Sequence, residues 1–105
     1  MPTIGAFVFR DDGDGCLTAK WLDNSADTFY PEACKLIANT GGEHKFEGQY
    51  ISTWIEQSVI VVESTLTISQ SNPGIYTLEW VTTDSHRFHG KAMTFGDLLI
   101  GSYWD

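Results

Sequence analysis

The feature that most constrains this chain is a period-two alternation that begins at Phe46 and runs almost to the end. Phe46, Gly48, Tyr50, Ser52 and Trp54 fall on one face, and Glu47, Gln49, Ile51, Thr53 and Ile55 on the other. Such a pattern is that of a strand with two unlike faces. The alternation is repeatedly broken by turn chemistry and then resumes. Glu56-Gln57-Ser58 reads as a turn, and Val59 to Ser69 as a second strand rich in β-branched residues. Ser71-Asn72-Pro73-Gly74 turns the chain again, and Ile75 to Thr82 sets Tyr76, Leu78 and Trp80 against Thr77 and Glu79. After Thr83-Asp84-Ser85, Arg87 to Thr94 sets Phe88, Gly90 and Ala92 against His89, Lys91 and Met93. Gly96-Asp97 precedes a last strand, Leu98 to Trp104.

The N-terminal part adds a hairpin. Thr3 to Arg10 is strand-like, Asp11-Asp12-Gly13-Asp14-Gly15 supplies the positive φ of a tight turn, and Cys16 to Leu22 returns with Leu17, Ala19 and Trp21. Between the hairpin and the long alternation lies Asp23 to Gly42, which resists this pattern. Pro31 suits a first helical position, Glu32 a first turn, and Asn39-Thr40-Gly41-Gly42 a stop, so the local signals predict a short helix over 31–39. The expectation is seven strands, eight if Thr28–Tyr30 pairs, in one domain spanning 1–105. Short turns favour antiparallel neighbours, and a meander escapes its exposed edges by closing into a barrel.

Composition narrows the partners. The chain has 105 residues with 14 acidic against 6 basic side chains, a net charge of −8. That balance argues against a phosphate-backbone binder and against docking on an anionic membrane. No apolar run approaches a bilayer span, and the N-terminus lacks a signal-peptide pattern, so the cytoplasm is the expected location. Cys16 and Cys34 are expected to be two free thiols, because a chain of this length can build a core without staples.

Two internal echoes stand out. Gly15-Cys16-Leu17-Thr18-Ala19-Lys20-Trp21 and Gly74-Ile75-Tyr76-Thr77-Leu78-Glu79-Trp80 share Gly, Thr and Trp at one spacing, and Phe46-Glu47-Gly48 echoes Phe88-His89-Gly90. They fit either a shared strand vocabulary or a duplicated hairpin.

Residues 46–104 resemble the avidin/streptavidin branch of the calycin (lipocalin-like) barrels. The resemblance is carried by Phe46-x-Gly48-x-Tyr50-Ile51-Ser52, Gly74-Ile75-Tyr76-Thr77-Leu78-Glu79-Trp80, Phe88-x-Gly90 and Leu98-Leu99-Ile100-Gly101-Ser102-Tyr103-Trp104. It implies an all-β, antiparallel, up-and-down, calycin-like barrel with a ligand site at one open end. Trp80 and Trp104 (or Tyr103, one residue off) match the family's wall tryptophans. The family's first strand, with its Gly-x-Trp and following Asn-x-x-Ser, has no counterpart in Thr3–Arg10, and its last strand has none either. Biotin is therefore not the expected ligand.

Other chemistry is thin. Asp11, Asp12 and Asp14 suggest a Ca²⁺ loop, but an EF-type loop starting at Asp12 would need an oxygen ligand at Cys16 and a glycine at Leu17. His86 and His89 would lie on opposite sides of a strand, so a metal site completed by His44 is not expected. Cys34 activated by His44 would need the base to reach across Gly41-Gly42, and a buried structural thiol is the plainer reading. No catalytic set, metal or cofactor is expected, and the balance leans away from an enzyme. The aromatics carry the functional expectation. Trp21, Tyr50, Trp54, Tyr76, Trp80 and Trp104 would surround a common interior and hold a small, partly apolar or aromatic ligand. The alternative is a filled core in a structural or protein-interaction barrel. Val59–Val62 has one face that the barrel interior does not cover; the short helix or a second subunit must cover it, which makes a homo-oligomer packed through the 59–69 strand a further expectation.

Overall fold

A computed structural model describes residues 3–38, 45–56 and 59–105. Eight strands follow one another: β1 (Ile4–Gly13), β2 (Cys16–Asp23), β3 (Tyr30–Ala38), β4 (Gly48–Glu56), β5 (Ile60–Asn72), β6 (Ile75–Thr82), β7 (Arg87–Phe95) and β8 (Leu98–Trp104). Each pairs antiparallel with the next, and β8 returns to pair with β1 from Ile4↔Trp104 to Arg10↔Leu98. The up-and-down barrel is closed, and every strand has two neighbours. Closure removes the unpaired edges that an open meander would leave.

The expected helix over 31–39 is not there: Tyr30–Ala38 is strand β3, and Asn39 lies outside the described residues. Glu32 and Cys34 are buried and Leu36 is half-buried, while Pro31, Ala33, Lys35 and Ile37 face out. This is period two, not the helical period. Pro31 stands next to the strand's start, close to the place where a missing N–H is tolerated. Pairing decides the matter: Glu32–Leu36 must join β2 to β4 for the ring to close, and that outweighs a local capping pattern. The eighth strand is thus this segment, which shares only Tyr30 with the expected Thr28–Tyr30. Strand β5 runs to Asn72, further than the expected Ser69, with an irregularity between Gln70 and Asn72 just before the Pro73-Gly74 turn. Of the turn expected at Glu56-Gln57-Ser58, Glu56 ends strand β4, and Gln57 and Ser58 lie outside the described residues.

The β1–β2 turn has Gly13, Asp14 and Gly15 all at positive φ (86°, 54° and 76°). Its carboxylates are engaged locally. Gly13 N–H donates to Asp11 at 2.9 Å, while Arg10 (2.8 Å) and the Thr18 hydroxyl both donate to Asp12 and hold its carboxyl below the usual range.

The interior is unequal along its length. In the half carrying the β1–β2, β5–β6 and β7–β8 turns, Phe9, Leu66, Ile68 and Leu99 are wholly buried. Phe46 plugs that end, edge-on to Tyr76 at 6.4 Å, and its carbonyl accepts the Tyr50 hydroxyl at 2.9 Å. Phe46 holds a φ of 77°, a conformation that costs a non-glycine residue about 1–3 kcal/mol and that the packing must sustain. The opposite end stays open.

Candidate functional site

The open end is a cup of about 300 Å³. Its position follows from the alternation: Phe7 near the start of β1, Trp21 near the end of β2, Trp54 on β4, Trp80 on β6, Phe88 on β7 and Tyr103 on β8 all point inward at the same end. Tyr30 joins them from β3, its ring 4.8 Å from that of Trp21. The rings meet mostly edge to face, Trp21 against Trp54 (6.2 Å) and Tyr103 (6.0 Å), and Phe7 against Trp80 (5.6 Å). Edge-to-face contact is the favourable arrangement for aromatic quadrupoles.

Two glycines make room for these rings, and a third lets the backbones of β7 and β8 approach closely. A Cβ on Gly90 would stand 2.9 Å from the Trp80 ring, and one on Gly5 would stand 2.2 Å from Tyr103. A Cβ on Gly101 would come 2.1 Å from the Lys91 carbonyl.

Glu32 and Trp80 form the floor. Glu32 is only 6% exposed, and its Oε2 accepts three donors: the Ser52 hydroxyl, the Trp80 indole N–H at 3.0 Å and the Cys34 thiol at 3.6 Å. None of these bonds uses Oε1. Burial pushes the Glu32 carboxyl above its ordinary pKa, against the lowering effect of the three donors. Burial and the neighbouring Glu32 charge also push the Cys34 thiol far up, so it stays protonated. Cys34 is a buried structural thiol, and its proposed base, His44, lies outside the described residues. Cys16 is also free; it stands beside Leu17, which pairs with Cys34, so the two cysteines occupy opposite faces of the wall.

Two further carboxylates, Asp23 and Glu56, line the cup, as does Thr3. Glu56 accepts the Trp54 indole N–H at 3.0 Å. Asp105 ties the same end together, accepting the Thr3 N–H at 3.0 Å and standing 3.7 Å from His86. Among the described residues no Lys, Arg or His lines the cup. Burial first, then the charges of Asp23, Glu32 and Asp105, hold the Tyr103 phenol well above its ordinary pKa.

Two cup residues carry buried polar atoms with no partner, Trp21 Nε1 and Tyr103 Oη. Such groups cost about 1–3 kcal/mol each when left unpaired. A third unpaired atom, Ser64 Oγ, lies deeper, on a strand position opposite Ser52.

Of the six residues singled out from the sequence, Trp21, Trp54 and Trp80 line the cup together. Tyr50 and Tyr76 are buried in the closed half, beside Phe46. Trp104 lies on the outside, 41% exposed, because β8 turns Leu99, Gly101 and Tyr103 inward. Tyr103 takes the wall position one residue earlier. The sequence reading missed Glu32, Tyr30, Phe7, Phe88 and the rim carboxylates. For Glu32 and Tyr30 the available signal was the alternation Tyr30, Glu32, Cys34, Leu36, hidden by helix-like capping. His89 sits on the outer face near Glu79 (3.8 Å), away from His86, and among the described residues no cluster suited to a metal ion forms.

Compared with known proteins, the chain matches no family model, no curated protein and no solved structure.

Proposed function

We propose that this chain is a non-enzymatic binding barrel that holds a small, partly apolar ligand in the aromatic cup. The observation that carries the reading is the pair of unpartnered buried polar atoms, Trp21 Nε1 and Tyr103 Oη, in the wall of a 300 Å³ opening. Apolar walls with a few polar tips are the make-up of a small-molecule site. A filled core would satisfy or omit those atoms, as the closed half does with Tyr50. Catalysis has less support: Glu32 and Cys34 touch, but the thiol is buried and protonated, so the pair is not a nucleophile with its base. A strictly nearest-neighbour meander that closes β8 on β1 supports an avidin-like, calycin-like assignment, whereas the outward Trp104 does not add to it.

Native mass spectrometry of the purified protein, with tryptophan fluorescence across a small-molecule library, tests the proposal. Three of the four tryptophans line the cup, so an occupant would shift or quench the emission. No retained mass and no response across the library would sink it.

A second reading, self-association through the 59–69 strand, is favoured by one observation. Val59 and Val61 are 79% and 65% exposed, and Ile55 pairs beside Val61 with its side chain also in solvent. Light scattering after size exclusion checks it, and a strict monomer at high concentration would end it.

A further inference from the structure

We infer that the ligand of the cup is an organic cation, a small amine with an aromatic or aliphatic body, held with Glu32 as its counter-ion. The inference rests on the binding-barrel reading above and gives it a chemical class.

Four observations converge. First, the floor carries a carboxyl 6% exposed whose three donors all land on Oε2, leaving Oε1 unused by them. A carboxyl in that position is costly unless something pairs with it. Secondly, the other charged groups lining the cup, Asp23 and Glu56, are also acidic, and no basic side chain among the described residues lines it. His86, at the same end, faces Asp105. An anionic ligand would meet three carboxylates, on β2, β3 and β4, and no basic side chain among the described lining residues.

Thirdly, the walls are aromatic faces and edges. Cations are drawn to ring faces, with tryptophan the best partner. Trp21, Trp54 and Trp80 supply that surface. Fourthly, Tyr103 is 8% exposed and its hydroxyl has no partner. Its oxygen can accept an ammonium N–H, while Trp21 Nε1, which can only donate, suits an oxygen acceptor elsewhere on the ligand. A neutral apolar ligand would fill the volume but leave the Tyr103 hydroxyl without a partner and the Glu32 carboxylate without a counter-charge.

The test uses three probes of nearly one shape: phenethylamine, phenethyl alcohol and 3-phenylpropionate. Binding is read by tryptophan fluorescence and calorimetry on the intact protein. The amine is expected to bind at least tenfold more tightly than the alcohol, and the acid more weakly than either. Glu32→Gln, which keeps one acceptor oxygen for Ser52 and Trp80, is expected to lose tenfold or more in amine affinity while the alcohol changes less than threefold. Should that variant misfold by circular dichroism, Glu56→Gln at the rim gives the same comparison with a smaller expected loss, about threefold. An alcohol that binds as well as the amine, or an amine preference that survives both substitutions, would overturn the cation and leave the cup standing. No binding by any probe would overturn both.

Discussion

The two ends of this barrel are built from the same strands with the same alternation, yet one is a core and the other a cup. At the closed end, leucine, isoleucine and phenylalanine fill the ring, and the one buried phenol described there with a partner, Tyr50, donates to Phe46. At the open end the inward positions go to tryptophans, Tyr103 and Glu32, whose polar atoms are only partly answered. Period two decides which way a side chain points. Whether the interior closes depends on side-chain volume, on where glycine withholds a Cβ, and on whether each polar tip finds a partner.

That contrast can be broken by substitution. The largest effect is expected from Leu66→Ala in the closed half, which should cost about 2–5 kcal/mol in chemical denaturation, because no solvent reaches the space it leaves. Gly5→Ala probes the open half. Its new methyl would stand 2.2 Å from the Tyr103 ring and 2.5 Å from the Leu22 carbonyl, so a loss of about 1–3 kcal/mol is expected. It should also weaken any ligand response, since the ring has to move into the cup. A smaller effect with opposite signs at the two ends comes from the tyrosines. Tyr50→Phe removes a made hydrogen bond and should cost about 1 kcal/mol, whereas Tyr103→Phe removes an unpaired hydroxyl and should leave the ligand-free protein equally or more stable. Equal losses from both would erase the distinction drawn here.

Because burial raises the Glu32 carboxyl above its unfolded value, the folded protein binds the extra proton between the two values. Stability is therefore full below the unfolded carboxylate pKa and falls as pH rises through the folded one. The ionisable groups that share the cup with Glu32 or touch it are Asp23 on β2, Tyr30 and Cys34 on β3, Glu56 on β4 and Tyr103 on β8. Melting temperature followed from pH 4 upward should show a decline in the wild type that Glu32→Gln flattens; parallel curves would show that Glu32 does not titrate in that range.

Most of the wall was legible in the sequence. The sets Tyr50-Ser52-Trp54, Tyr76-Leu78-Trp80 and Phe88-Gly90-Ala92, each grouped on one face by the period of two, are the inward ones. Strand β3 was not legible, because Pro31, Glu32 and the Asn39–Gly42 segment imitate the ends of a helix and its inward positions include a carboxylate. Its alternation is visible only once the demand of β2 and β4 for a common neighbour overrides the helix-like ends. The phase of β8 was equally hidden. Tyr103 and Trp104 are adjacent and both aromatic, and only the register of β8 against β1 and β7 turns the first inward. The cup's acidic floor went unread with β3.

The seam between β1 and β8 has a thermodynamic consequence. Thr3 and Phe7 stand on one side of it and Tyr103 on the other, and all three belong to the cup. Fraying that seam dismantles the site, so occupancy and ring closure share a single equilibrium. A ligand bound at a hundred times its Kd would hold the seam shut by about 2.7 kcal/mol. Slowed amide exchange in the first and last strands would then report an occupant even when the ligand itself is spectroscopically silent.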